Sequence, residues 1–147
     1  DLHVSSRRQR QMCIRDSPVG CALALEAIDI IINEKMIENV RHLEPIFMGG
    51  LKKFEDLEFI GESRGIGLMG ALEMAQDKKK KIPFDGSISI GERVANKCIE
   101  NGLICRPLGP SIVLCPPFIT TEEEMDIIFE TLEKTLKEVF SEVKSLG

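Results

Sequence analysis

The chain has 147 residues, 43% of them hydrophobic and 29% charged, with a formal net charge of −5. That length suits one domain with a real core and is short for a two-lobed enzyme. The acidic balance argues against phosphate-backbone binding, and so against nucleic acid as a partner.

Residues 1–17, "DLHVSSRRQRQMCIRDS", hold four arginines and two aspartates and show neither helical nor strand periodicity. They resemble translated sequencing-adapter sequence, and are set apart as a disordered artefact rather than a basic arm. The natural chain is then expected to continue upstream of Pro18. Ser17 and Pro18 suit the N-cap and first position of a helix. That helix, Val19–Ile32, is apolar almost all round, as a helix buried on several sides would be, yet Glu26 and Asp29 interrupt it and it is too short to span a bilayer.

Ile37, Val40, Leu43, Phe47, Leu51 and Phe54 recur at three- and four-residue steps and predict an amphipathic helix over Ile37–Phe54, kinked or split at Pro45. Two strands are expected next, a short one near Phe59–Ser63 and a longer one near Gly67–Met74. A polar loop, "AQDKKKKIPFDG", follows over Ala75–Gly86. Ser89 and Glu92 have capping-box spacing, and the helix they would open through Val94, Ala95, Cys98 and Ile99 should stop at Gly102. The apolar runs Leu103–Cys105 and Ile112–Cys115 flank a Pro/Gly turn and predict a hairpin, ended by Pro116 and Pro117. Thr121 with Glu124 is a second capping box, and an apolar stripe from Met125 to Val143 follows it. The order is α-α-β-β-α-β-β-α, read as an α+β fold with a small, mainly antiparallel sheet of three or four strands covered on one side by helices.

Several motifs have competing readings. "GIGLMG" matches the dinucleotide fingerprint letter for letter, but the fingerprint must open a helix. Leu68, Gly70, Leu72 and Met74 alternate instead, which favours a glycine-rich strand, with a nucleotide-binding fragment as the alternative. Cysteines stand at 13, 21, 98, 105 and 115 with no CxxC pair, and His3 and His42 are the only histidines. No zinc site is expected, and the unpaired thiols suit a reducing cytoplasm. Cys105 would be reactive only if exposed. His42 is assigned to a helix surface, and Lys78–Lys81 to a solvated loop tip.

Arg106 carries the main functional question. A guanidinium keeps its charge, so one placed among apolar neighbours at a strand end needs an anion to face. That anion is either an acid elsewhere in the chain or the carboxylate of a ligand.

Taken in order, "PVGCALALEAIDII", "RGIGLMGALEM", "PFDG…GERVANKCIENGLICRPLG" and "IVLCPPFITTEEEMDIIFETLEKTL" resemble the C-terminal small domain of class III pyridoxal-phosphate-dependent aminotransferases, omega-transaminase or pyruvate-linked branch. The resemblance runs from Pro18 to about Val143. It implies residues 18–147 as an interdomain helix plus small domain of a fold type I enzyme. The intact parent would be a cytoplasmic homodimer, without membrane or nucleic-acid partners. It would use pyridoxal 5'-phosphate to move an amino group between an amine or amino acid and pyruvate or a similar keto acid. In that family the arginine of the "CRPLG" turn pairs with the substrate carboxylate, and here that residue is Arg106. The family's serine-glycine-histidine-proline stretch gives way to Asp16 and Ser17 before Pro18, and neither its phosphate-binding threonine nor its cofactor lysine has a counterpart. Pro110 stands where glutamine is expected. The chain is therefore expected to be a transaminase fragment, inactive alone. A stand-alone, non-catalytic interaction module is the remaining alternative.

Overall fold

The structure, a computed structural model, describes residues 17–145, so the expectations for residues 1–16 lie outside it. The described chain divides into two units, with the boundary after Glu38.

In the first unit, α1 (Pro18–Asn33) starts with proline at its first turn and Ser17 at the N-cap, without a bond from the serine side chain. None of its residues is buried, and Val19, Leu23 and Leu25 are each about two-thirds exposed. The sequence pattern of a helix buried on several sides thus stands here on an open surface. No helix of the described residues is long and apolar enough to cross a membrane.

The second unit is built on α2 (Met36–Lys53), which reaches it at Asn39. The helix expected to be kinked or split at Pro45 is not split there. The proline lies on the exposed side, where water can take up the carbonyl that loses its helical partner. The opposite side of α2 buries Leu43, Phe47 and Leu51. A 3₁₀ turn (Phe54–Asp56) leads into β1 (Ile60–Ile66) and β2 (Met69–Met74), and a second (Gly86–Ile88) into α3 (Ile90–Glu100). Next come β3 (Arg106–Leu108), β4 (Ser111–Leu114) and α4 (Glu122–Ser145). The four strands form one antiparallel sheet in the order β1-β2-β4-β3. Leu72, Met74, Ile112 and Leu114 all point to one face, where they join Phe47, Leu51, Val94, Leu132 and Leu136 in the core. The α+β architecture expected from the sequence is the one observed.

Local chemistry explains where bounds moved. "GIGLMG" is a hairpin: Gly65 pairs with Gly70 and Ile66 with Met69, leaving Gly67 and Leu68 as a two-residue loop. Gly67 has φ +56°, the positive value that such tight loops require of their first residue. At Ser89 the expected capping box does not form. The residue takes φ +48° to turn the chain out of the 3₁₀ segment, and its hydroxyl bonds back to the Gly86 carbonyl. Thr121 and Glu124 do form theirs, with Glu124 N–H donating to Thr121 Oγ1 at 3.2 Å and Thr121 N–H to Glu124 Oε2 at 2.9 Å. Beyond α3, Gly102 N–H donates to Ile99 O and Leu103 N–H to Cys98 O, the paired bonds of a Schellman ending. That ending carries Leu103–Cys105 forward as a connector, so pairing starts only at Arg106, three residues later than expected.

Glu55 ties this framework together. Its Oε1 accepts from Ser63 N–H at 2.9 Å and Ser63 Oγ–H at 2.6 Å, and Lys52 Nζ lies 2.7 Å from Oε2. The Lys52 ammonium and then the two Ser63 donors lower its pKa from 4.5 to about 2. Because the folded value lies below the unfolded one, the stabilisation is complete above about pH 4.5 and is lost as pH falls toward 2. With the side chain 24% exposed, solvent screening leaves a contribution of about 1–2 kcal/mol. Urea unfolding of the wild type and Glu55→Gln should therefore differ by about that much at pH 6, with the gap shrinking as pH falls below 4.5 and vanishing below about pH 2. A gap unchanged by pH would show that the carboxylate charge does not act this way.

Candidate functional site

Sheet register decides what surrounds Arg106. The pairings Arg64↔Ala71, Ala71↔Val113 and Val113↔Arg106 set these four residues in one row across the sheet. Paired residues share a face and alternate with the next pair, so the row lies opposite the helix-covered side. Two arginines therefore occupy the edge strands of one open face, and their surroundings differ. Arg64 is committed: its Nη1 donates to Glu73 Oε2 at 2.6 Å, with Glu62 at 3.8 Å. Arg106 has Val113 as its cross-strand neighbour, and among the described residues no acid or carbonyl bonds its guanidinium.

Arg106 is also exposed; its neighbours are apolar as expected, but its place at the end of the preceding apolar run is corrected. It opens β3 rather than ending the run before it. Ile104 and Leu108, two residues away on either side, are 86% and 64% exposed, so the charge stands on an apolar rim. Cys105, just before it, is 8% exposed, and the hydrogen bond to Cys98 together with burial pushes its thiol well above the usual range. It is not an activated nucleophile.

The turn between β3 and β4 is held from two directions. Met74 N–H donates to Pro110 O at 3.1 Å, and Gly91, in the first turn of α3, abuts the Gly109 carbonyl. Next to the turn lies a cavity of about 300 Å³ lined by Phe84, Ile90, Pro107 and Pro110. Pro110 borders this cavity and also a second one, lined by Glu62 and Glu73. Neither Gly91 nor Arg64 was singled out by the sequence pattern. Only the register could have paired Arg64 with Arg106, and nothing local announces the contact at Gly91.

The other motifs take structural roles. The hairpin fold of "GIGLMG" opens no helix, which removes the nucleotide-binding alternative, and Gly70 lies against the Leu51 and Phe47 side chains. Lys78 Nζ donates to the Glu55 and Leu57 carbonyls, and Asp77 accepts the backbone N–H groups of Lys79 and Lys80. His42 pairs with Glu122 at 2.6 Å on an exposed helix surface. None of the described lysines is buried.

Comparison with known proteins gives a consistent result. The family model for "Aminotransferase class-III" matches residues 15–136. Gamma aminobutyrate transaminase 1, mitochondrial, of Solanum lycopersicum is 40% identical over 129 residues, covering 88% of this chain and 25% of that protein. An omega-aminotransferase structure from Paracoccus denitrificans is 61% identical with a TM-score of 0.84, covering 86% of this chain and 28% of that one. A PMP-bound aminotransferase structure from Vibrio fluvialis is 53% identical with a TM-score of 0.83, covering 90% of this chain and 31% of that one. The chain spans about a quarter of the length of the curated relatives it matches.

Proposed function

The chain belongs to the class-III aminotransferases, and from that premise we propose that it serves as the C-terminal small domain of a pyridoxal-phosphate-dependent transaminase, with residues 1–17 read as adapter-derived sequence although the family match begins at residue 15. The enzyme would exchange an amino group between an amine or amino acid and pyruvate or a similar keto acid, as a cytoplasmic homodimer. The observation that carries this reading is the uncommitted Arg106 guanidinium on the open sheet face.

A planar guanidinium can offer two parallel N–H donors to one carboxylate, fixing the orientation of a keto acid as well as its affinity. Arg106 breaks no internal ion pair when it engages a ligand, and none when it turns aside for an amine that lacks a carboxylate. Ile104 and Leu108 on either side carry no charge that would compete for the guanidinium.

Pyridoxal phosphate, when bound, withdraws electrons from the amine-bearing carbon. The described residues do not fit as its cradle. A lysine that bonds such a cofactor is desolvated, whereas no described lysine is buried, and Lys97 has its pKa raised by Glu100. The role derived for this chain is confined to the carboxylate side of the substrate.

Pyruvate and 1-phenylethylamine test the proposal. An enzyme carrying this domain should form alanine and acetophenone in equal amounts, while the 147-residue chain supplied with pyridoxal phosphate should form neither. Reading the source locus across the codons for residues 1–30 would settle the status of residues 1–17. No amino transfer with any amine and keto-acid pair would refute the transaminase proposal.

A further inference from the structure

Gly91 lies far from Arg106 along the chain, yet its surroundings connect the two. A Cβ at position 91 would fall closer than 3.0 Å to the Gly109 carbonyl oxygen and 3.2 Å from that of Ser111. Both are backbone atoms, so no side chain can rotate out of the way. Gly109 and Pro110 form the turn directly after Arg106–Leu108. We propose that Gly91 is a positioning residue for Arg106: its missing side chain lets the first turn of α3 press on the β3–β4 turn and fix where the guanidinium stands. The proposal rests on the assignment of Arg106 to the substrate carboxylate.

One of the two parts in contact can yield and the other cannot. Ile90, Val94, Ala95 and Cys98 anchor α3, each 4% exposed or less. Residues 106–110 are all exposed, and β3 pairs on one side only, with β4. A methyl group at position 91 therefore displaces the turn rather than the helix. The Met74 N–H bond to Pro110 O tethers the far side of the turn, so the displacement is taken up by the edge strand, where Arg106 is three residues from Gly109.

Steady-state kinetics of the assembled enzyme test this, with Gly91→Ala, Arg106→Ala and the double variant compared on two substrates. Gly91→Ala should raise KM for pyruvate about tenfold with kcat retained, and leave KM for 1-phenylethylamine unchanged. In the Arg106→Ala background the same substitution should add nothing, because the group it misplaces is gone. An equal KM rise on both substrates, or an effect that persists without Arg106, would overturn the proposal. So would an unchanged KM for Gly91→Ala beside a raised one for Arg106→Ala. If Arg106→Ala itself leaves the pyruvate KM unchanged, the carboxylate assignment fails instead. Should Gly91→Ala not fold, inserting one glycine between Gly109 and Pro110 frees the carbonyl while leaving α3 intact. The same selective rise is then required.

Discussion

Replacing Arg106 with alanine in the assembled enzyme is expected to raise KM for pyruvate by one to two orders of magnitude, about the 1.5–3 kcal/mol of a hydrogen bond to a charged group. Turnover of an amine without a carboxylate should stay within about twofold, because nothing in that substrate faces the guanidinium. The loss should be that large because the substrate carboxylate would lose both parallel charge-assisted donors of the planar fork. Arg106→Lys keeps the charge and loses the planar fork, so its KM should fall between those of the wild type and the alanine variant. Equal losses on both substrates would show that Arg106 supports the fold rather than the keto acid.

Arg64 is the internal control for that prediction. It occupies the same row of the same face, but Glu73 and Glu62 neutralise it. The difference follows from register: the residue facing Arg64 across the first pair is Ala71, with Glu73 diagonal to it, whereas Arg106 faces Val113 and has Ser111 on the diagonal. Opposite charges a diagonal apart on a sheet lie within reach of long side chains, and a serine offers no such charge. The family resemblance pointed to Arg106 for its role, and the register gives a physical reason why that cation is available.

Patterns with a local cause were legible in the sequence. The stripe on α4, the Thr121–Glu124 box and the glycine stop after α3 each depend on residues a few positions apart, and each is found where the pattern put it. Ser89 and Glu92 have the same spacing as Thr121 and Glu124 and fail, because the preceding 3₁₀ turn forces Ser89 into a left-handed conformation. The break expected at Pro45 fails for another reason, since its cost depends on which side of α2 meets water. Arg106 was placed among apolar residues correctly, but its exposure depends on β3 being an edge strand, which strand order alone decides. Gly91 was invisible because its partner carbonyl lies 18 positions away and carries no side-chain signature.

Phe47→Ala is expected to cause the largest loss of stability, about 3–5 kcal/mol, a large share of what holds a domain of this size together. Phe47 is fully buried and stacks on Phe129 with ring centroids 6.0 Å apart. Gly70 also lies against it: a Cβ there would meet the Leu51 methyl and the Phe47 ring at closer than 3.0 Å. The third glycine of "GIGLMG" is thus required by the core, which gives the motif a packing role in place of a phosphate-binding one. Gly70→Ala alone should overpack the site by about 1–3 kcal/mol. In the Phe47→Ala background the ring is gone, the Leu51 side chain can rotate into the vacancy, and the added methyl fills part of a cavity. The two substitutions should therefore cost less together than their sum, by about 1 kcal/mol or more, in urea unfolding of the full chain. If Phe47→Ala proves too unstable to titrate, Phe47→Leu offers the same cycle with a smaller loss. Strict additivity would mean that Gly70 does not make room for Phe47, and that this glycine needs another explanation.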